Sequence, residues 1–214
     1  MEEGGERRGY VYRQMELPAA RISPEFEAQV RKRIHPHVRV VPATLEDDER
    51  VASLHNHAFL TATDPYAPIR AEDVRHLLLC PRTLVLVGMI WGAQDCGFIV
   101  LTFDEHCSDE EVLSAERAAK EGGEVNQPPG PEAGHEVGFI SGLGVLPQWQ
   151  RRGVGTTLGV KSWEFFKSAG VQTLRCEVFL GNDASYALIR AMGFDETGRT
   201  IYWDDGNFQQ LRRL

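Results

Sequence analysis

The stretch from His135 to Gly159 constrains the fold of this 214-residue chain more than any other. It begins with a mostly apolar run of strand length, Val137 to Val145, which Pro147 ends. A glycine-rich loop with two adjacent arginines follows, and a segment with helical periodicity comes after it. Glycines bring backbone N–H groups close to an anion, and a helix N-terminus adds the positive end of its dipole. The order strand, glycine loop, helix therefore predicts a bound phosphate group at residues 150–156.

Composition and charge exclude several classes of protein. The chain is 42% hydrophobic and 25% charged, which is typical of a globular domain. Its formal net charge of −8 argues against nucleic acid as the main partner. No apolar run approaches the ~20 residues of a membrane helix, and the polar N-terminus is unlike a secretory signal. These features predict a cytoplasmic protein with no membrane partner.

The four cysteines do not have the spacing of a zinc site or of a C-x-x-C motif. Cys96 and Cys176 lie in apolar strand-like segments, where buried free thiols are the expected state. The sequence therefore predicts no metal ligands and a reducing compartment.

The domain organisation predicted from the pattern is simple. Residues 1–36 lack a clear core pattern and are interpreted as an N-terminal arm, with a short helix that begins at Ser23. Residues 37–214 alternate apolar strand segments with amphipathic helices and form one domain. A buried helix face places His55 among apolar residues, which favours a packed core histidine over a catalytic one.

Residues 104–134 form an acidic insertion in this domain. It contains nine acidic residues against Arg117 and Lys120, so it holds most of the excess negative charge of the chain. Ser108 and Glu111 are spaced as a capping box for a polar helix, and a Gly- and Pro-rich linker follows that helix. Two interpretations remain open: a solvated surface loop, or an electrostatic collar that attracts a cationic amine.

Two motifs resemble those of a known family. Gln150, Gly153 and Gly155 match the acetyl-CoA signature of the GNAT N-acetyltransferases, Q/R-x-x-G-x-G/A after a strand that ends in V-x-P. The stretch from Leu174 to Phe194 resembles the last βα unit of that family, strand–N-x-x-A–helix–G-F. The resemblance covers roughly residues 38–214. It implies an α/β protein with the GNAT fold, in which helices flank a mixed central β-sheet of about six to seven strands.

The resemblance also implies an activity. A GNAT enzyme transfers an acetyl group from acetyl-CoA to a primary amine by direct attack in a ternary complex. Backbone groups of the signature strand hold the donor, and the N–H of Val145 is the implied oxyanion donor. The implied cofactor-binding residues are Leu143, Gly144, Val145, Gln150, Arg151, Arg152, Gly153, Val154, Gly155, Thr156 and Asn182.

Two glutamates are candidates for the general base. Glu177 lies five residues before Asn182, in a stretch that resembles the ribosomal-protein alanine N-acetyltransferases, which use a glutamate there as the base. The alternative for Glu177 is a strand glutamate that faces solvent or forms an ion pair with Arg175. Glu136, at the start of the signature strand, is the second candidate.

The resemblance does not identify a general acid, because this chain has Ile189 at the position where the family usually has a tyrosine. Tyr186 and Tyr202 lie nearby in sequence, but neither matches the motif. The candidates for contact with the acceptor are Asp64, Tyr66, His76 and Tyr202.

Other functions remain open at this point. The glycine pattern loosely resembles a dinucleotide-binding fingerprint, with Glu177 at a suitable distance. The missing tyrosine also fits a non-catalytic module that binds acyl-CoA. For an enzyme, the predicted acceptor is a small-molecule or peptide amine, and a cationic one under the collar interpretation. A homodimer is left open.

Overall fold

The computed structural model describes residues 9–104, 107–130 and 134–203, and this part of the chain forms seven strands and six α-helices. The strands are β1 (Gly9–Pro18), β2 (Val38–Pro42), β3 (Thr83–Ile90), β4 (Gln94–Phe103), β5 (Val137–Val145), β6 (Thr173–Phe179) and β7 (Asp195–Trp203). The helices are α1 (Pro24–Arg31), α2 (Asp48–Phe59), α3 (Ala71–Leu79), α4 (Asp109–Lys120), α5 (Val154–Ser168) and α6 (Asp183–Ala191). None of these helices is long and apolar enough to cross a membrane.

The strands form one sheet in the order β2-β3-β4-β5-β6-β1-β7. All neighbours are antiparallel except β5 and β6, which are parallel. The predicted mixed sheet flanked by helices is confirmed. A single parallel pair is unlike the parallel βαβ order of a dinucleotide-binding domain, so the fold does not support that alternative.

Apolar side chains cover both faces of the sheet. On one face, Trp163 and Phe166 of α5 are fully buried against β4 and β5, together with residues of α1 and α6. On the other face, α2 and α3 bury Val85, Val87 and Phe98 of the central strands. Burial on both faces explains why β3 and β4 are apolar on consecutive residues.

The N-terminal segment belongs to the sheet, although the sequence analysis assigned it to an arm. β1 lies between β6 and β7 and pairs antiparallel with both. The predicted short helix is present as α1, and the Ser23 side chain accepts a hydrogen bond from the Phe26 N–H at its start. Residues 199–203 and 207–211 flank Asp-Asp-Gly, so the sequence predicts a closing hairpin there. The first half belongs to β7, and the second half lies outside the described residues.

The acidic insertion packs against the rest of the domain along its length and does not contact it only where the insertion begins and ends. Its capping box at Ser108 and its polar helix α4 are confirmed, and α4 packs on α3. A disulfide between Cys80 and Cys107 joins the end of α3 to the start of this segment. This disulfide was not foreseen in the prediction of a reducing compartment. Cys96 and Cys176 are buried free thiols as predicted, and burial raises the pKa of Cys96 to about 11.

Asn126 anchors the far end of the insertion. Its side chain is 4% exposed, accepts from the Val85 N–H (2.8 Å) and donates to the carbonyl oxygens of Ala43 (2.7 Å) and Val85 (2.9 Å). These bonds fasten the insertion to the β2–β3 side of the sheet, two strands away from β5. This position does not support the interpretation of the insertion as a collar around the site described below.

Asn126→Ala is expected to lower the free energy of unfolding by about 1–3 kcal/mol, because it leaves buried backbone groups without partners. Urea denaturation followed by circular dichroism measures this loss. Glu124→Ala, an exposed substitution two residues earlier, is the matched control and should have little effect. Equal denaturation midpoints for both variants would show that the segment is not fastened by Asn126.

Candidate functional site

The central feature of the site is the divergence of β5 from β6. The two strands pair in parallel only from Val137 with Thr173 to Ile140 with Cys176. Beyond this point β5 continues along β4 as far as Val145, while β6 continues along β1. A wedge-shaped opening therefore lies between residues 141–145 of β5 and residues 177–179 of β6.

Backbone groups of β5 point into this opening. The Leu146 N–H donates to the Cys96 carbonyl oxygen on β4 (3.0 Å). Successive residues of a strand direct their N–H and C=O groups to opposite sides, so those of Val145 and Leu143 face away from β4. The Val145 carbonyl accepts from Nε2 of Gln150 (3.1 Å), which places Gln150 at the same edge. The opening thus presents polar backbone groups of β5 that are not used in the pairing with β4.

The glycine loop joins the end of β5 to α5, as predicted. A short 3-10 turn, Pro147–Trp149, precedes the exposed side chains of Gln150, Arg151 and Arg152. The 15-residue helix α5 begins at Val154, so the N–H groups of its first turn have no partners within the helix. The arginines and the helix start provide the donors and positive charge that a pyrophosphate requires.

Gly153 has a structural role in this loop. Its φ of 83° lies in the left-handed region, and a Cβ atom there would overlap the carbonyl oxygen of Arg33. The loop between α1 and β2 therefore packs directly under the glycine loop. Gly155 differs, because a Cβ atom there would meet the flexible end of the Leu188 side chain.

Glu177 is the first residue of β6 beyond the segment that pairs with β5. Its carboxylate Oε1 accepts from Nε2 of Gln14 (2.5 Å) and from the Tyr202 hydroxyl (2.7 Å). Gln14 also donates to Oγ1 of Thr200 (2.7 Å). Three neighbouring strands thus fix an exposed carboxylate at the mouth of the opening. The alternative partner, Arg175, is instead paired with Glu16.

Aromatic rings surround this carboxylate on the same face of the sheet, which we call the open face. Tyr12 packs against Phe179 (ring centroids 5.6 Å apart) and against Tyr202 (5.5 Å). Tyr10 packs on the other side of Phe179 (6.4 Å). The helices α2 and α3 cover β3, β4 and β5 on this face, so Glu177 stays exposed beside them.

The loop between α2 and α3 reaches the opening from the other side. Oγ1 of Thr63 donates to the Gly181 carbonyl oxygen (3.2 Å), and Nδ2 of Asn182 donates to Oδ2 of Asp64. Oδ1 of Asn182 also accepts from the Ser185 N–H (2.9 Å) and caps α6. Burial raises the pKa of Asp64, although the bond from Asn182 opposes this shift. The amide nitrogen and the amide oxygen of Asn182 therefore both form hydrogen bonds within the protein.

Tyr66 lies on the same loop, and its ring is parallel to that of Phe59 (6.5 Å between centroids). Burial raises its pKa. The nearby His55 is 3% exposed and packs on Phe59 and Phe98, so it is a core histidine as predicted. Burial also lowers the pKa of His55, which keeps the ring neutral.

Several candidate residues lie away from the opening. Glu136 precedes the first residue of β5, at the opposite end of the strand from Val145 and roughly 30 Å from it along the strand. His76 is exposed on α3, which packs on α2, α4 and β3. Tyr186 lies under Arg13 on the face opposite Glu177, and Ile189 is buried in the core. The structure thus brings together Glu177 and Tyr202 but not these four residues.

A pocket of about 400 Å³ lies beside the end of β5. Its lining residues, from α2, β4 and the start of the glycine loop, are Arg50, Ser53, Leu54, His57, Leu60, Thr61, Asp95, Leu146, Pro147 and Gln148. Arg50 is bound to Asp47 (2.7 Å) and Asp95 (2.5 Å), and its pKa is raised chiefly by the bond to Asp95. The pocket therefore lies between α2 and the residues that follow β5.

β1 provides a part of the site that no sequence motif marks. Gln14 donates a hydrogen bond to Glu177, and the Tyr12 ring packs against the ring of Tyr202. The chain before Val38 nevertheless contains no recognised motif. The only available signal was the run of residues suited to a strand at residues 10–17. No group of three or more potential metal ligands occurs in the described part of the chain.

Comparison with known proteins identifies the family of this chain. The model of the acetyltransferase (GNAT) family matches residues 46–194. An aminoglycoside N(6')-acetyltransferase type 1 of Stenotrophomonas maltophilia is 39% identical over 69 residues, which are 31% of this chain and 44% of that protein. One from Acinetobacter baumannii is 33% identical over 67 residues, 31% of this chain and 46% of that protein. The match thus spans less than half of these relatives.

Solved structures show the same fold at low identity. The aminoglycoside 6'-N-acetyltransferase AAC(6')-Ih of Acinetobacter baumannii has a TM-score of 0.54 and 18% identity, over 77% of this chain and 95% of that one. AAC(6')-Iy, in complex with the bisubstrate analogue CoA-S-monomethyl-acetylneamine, has a TM-score of 0.52 and 18% identity, over 78% and 96%.

None of these proteins is a ribosomal-protein alanine acetyltransferase, so the role of Glu177 stays a proposal. The family match covers most of the chain and includes both β5 and the glycine loop. It agrees with the mixed seven-stranded sheet flanked by helices. This chain belongs to the acetyltransferase (GNAT) family.

Proposed function

We propose that the protein is an N-acetyltransferase that transfers an acetyl group from acetyl-CoA to a primary amine by direct attack in a ternary complex. The observation that carries this proposal is the opening between β5 and β6. One end of it leads to the glycine loop and the start of α5, and the other to the carboxylate of Glu177. A long donor and an amine can therefore meet within the sheet, each reaching the opening from its own side.

In this proposal, different residues bind the acetyl donor and stabilise the negative charge that develops on its carbonyl oxygen. The α5 N-terminus, Arg151 and Arg152 bind the pyrophosphate, and the free edge of β5 orients the rest of the donor. The Val145 N–H, which points into the opening, donates to the carbonyl oxygen of the acetyl group as negative charge develops there. Such a donor is worth about 3–4 kcal/mol in other enzymes.

Glu177 is the proposed general base. An ammonium has no lone pair, so the acceptor must lose a proton before its nitrogen attacks. The Glu177 carboxylate first takes one proton from the ammonium. The neutral nitrogen then forms the C–N bond as the C–S bond breaks, the thiolate leaves, and the second proton of the nitrogen passes to solvent. The exposed position of Glu177 at the mouth of the opening, and the two donors that orient it, support this role.

The acceptor proposed is a small-molecule amine that is cationic at neutral pH. The tyrosine rings of the open face and the carboxylate of Glu177 are groups that attract an ammonium. The named relatives are aminoglycoside acetyltransferases, which supports an amino sugar as the first compound to test. The acidic insertion is not required for this preference, since it is docked on the β2–β3 side of the sheet.

The test is release of free thiol from acetyl-CoA with a panel of amino sugars, polyamines, amino acids and N-terminal peptides. Turnover with an amine, with initial-rate lines that intersect when both substrates are varied, is the expected result for a ternary complex. Tight acetyl-CoA binding without turnover on any amine would instead identify a non-catalytic acyl-CoA module, the alternative motivated by Ile189.

Tyr202→Phe is expected to lower kcat about tenfold and leave CoA affinity unchanged, because the Tyr202 hydroxyl positions the Glu177 carboxylate. The loss should shrink at high pH, where the amine is already deprotonated. In a Glu177→Gln background, Tyr202→Phe should cause little further loss, since the two residues act as one unit. Independent, multiplying losses would show that Tyr202 acts without Glu177.

A further inference from the structure

A second surface adjoins the glycine loop on the side of β2 and the β3–β4 turn. Trp149 is at its centre, with its ring 5.9 Å from that of Trp91 and 6.4 Å from that of His35. The Arg152 guanidinium lies 5.5 Å from the Trp149 ring. Trp91 is 68% exposed, which is unusual for a side chain of this size. We call these residues, with the 32–37 segment, the Trp91–Trp149 surface.

Unpaired positive charge collects at this surface, although the chain carries a net charge of −8. Most arginines and lysines of the described chain are bound to carboxylates, as Arg31 is to Glu27 and Glu164. Lys32, Arg33, Arg151 and Arg152 are exposed and have no carboxylate at ion-pair distance among the described residues. A cluster of positive charges on the surface of an acidic protein attracts an anionic ligand.

The surface is continuous with the phosphate-binding loop. Gly153 packs on the Arg33 carbonyl, and the His35 N–H donates to Oγ1 of Thr157 in the first turns of α5 (2.9 Å). The His37 N–H donates to Nδ1 of His35 (3.2 Å), so the neutral His35 ring carries its proton on Nε2. A ligand that extends from the pyrophosphate position toward Arg33 therefore meets cations, an imidazole N–H and an exposed indole.

We propose that the Trp91–Trp149 surface binds the adenosine 3′,5′-bisphosphate end of CoA, with Lys32 and Arg33 contacting the 3′-phosphate and Trp91 stacking on the adenine. This inference rests on the proposed use of acetyl-CoA and adds the recognition of its distal end. A phosphate monoester carries about −1.5 to −2 charges at neutral pH, which matches the unpaired cations. Exposed aromatic rings stack on purine bases.

The test is calorimetric binding of CoA and dephospho-CoA, which differ only in the 3′-phosphate, to the full chain. Wild type should bind CoA about tenfold or more tightly than dephospho-CoA. Lys32→Gln/Arg33→Gln should abolish this preference and leave dephospho-CoA affinity unchanged. Arg117→Gln, which changes an exposed arginine on α4 that has no ion pair with any described carboxylate, is the matched control and should keep the preference.

Trp91→Ala should weaken the binding of both nucleotides about tenfold, and Trp91→Phe should restore most of the affinity because a ring remains. Leu113→Ala, at an apolar residue that is 52% exposed on α4, is the control for loss of exposed apolar area. Equal wild-type affinity for CoA and dephospho-CoA, with both bound, would overturn this inference alone. Failure of wild type to bind CoA at all would overturn the proposed function as well.

Discussion

Glu177→Gln is expected to lower kcat by about 10²–10⁴-fold near neutral pH, which is the usual contribution of a general base. Glutamine keeps the shape of the side chain and can still meet Gln14 and Tyr202, so fold and CoA affinity should remain those of wild type. The carboxylate that accepts the proton of the ammonium is lost, however, and the acceptor then depends on the small fraction of free amine in solution.

The pH dependence distinguishes this role from a structural one. An unperturbed alkyl ammonium has a pKa of about 10.4, so raising the pH increases the free amine and should reduce the defect of Glu177→Gln. Steady-state rates from pH 6 to pH 10 measure this trend. Glu136→Gln, at the other candidate base, is the matched control. It should be fully active, because the structure places Glu136 at the far end of β5.

A Glu177→Gln enzyme as active as wild type at every pH would remove the base from this position. A defect of the same size at every pH would point to a role of Glu177 in holding the acceptor. Both outcomes leave the donor side of the proposal intact, because binding of CoA is measured separately.

The central part of the fold was accessible from the sequence because its signals are local. The strand, the glycine loop and helix α5 follow one another along the chain, and their glycines and apolar spacing are visible without any partner. The caps at Ser23 and Ser108 are equally local, since each bond spans three residues. Local patterns of this kind predicted the strand, the loop and the helix in their order, whereas the mixed sheet was implied by the resemblance to the GNAT family.

β1 escaped prediction because its buried residues lie on both faces of the sheet. Tyr12 is buried among aromatic rings on the open face, whereas Met15 and Leu17 are buried in the core on the other face. Arg13 shares that second face and lies 4.3 Å from the Tyr186 ring centroid. The period of two that marks a half-buried strand is therefore broken. The partners that make this segment a strand are more than 150 residues away.

The positions of individual site residues depended on similar long-range contacts. Tyr202 reaches Glu177 because β1 lies between β6 and β7 in the sheet. This strand order cannot be derived from a sequence motif. The docking of the insertion likewise depends on Asn126 and on the Cys80–Cys107 disulfide, which join segments far apart in the chain. Its composition indicated a solvated linker, because composition does not show which of its polar groups are buried.

Gly153→Val is expected to lower the free energy of unfolding by about 2–5 kcal/mol. A left-handed φ costs a residue with a Cβ atom about 1–2 kcal/mol, and forcing extra atoms into a packed position costs about 1–3 kcal/mol. Both conditions hold at Gly153, whose φ is 83° and whose missing side chain would overlap the Arg33 carbonyl. The backbone cannot relieve this overlap by a rotamer change, so the glycine loop and the 32–37 segment must separate.

The signature motif alone suggests the opposite order of effects, with loss of phosphate binding and an intact fold. Gly155→Ala separates the two explanations, because its Cβ atom would meet only the mobile end of Leu188 and the side chain of Val145. Urea denaturation and CoA calorimetry on both variants provide the comparison. We expect Gly155→Ala to unfold near the wild-type midpoint and Gly153→Val to unfold well below it. A Gly153→Val protein with wild-type stability and no CoA binding would show that this glycine serves the approach to phosphate rather than the packing of Arg33.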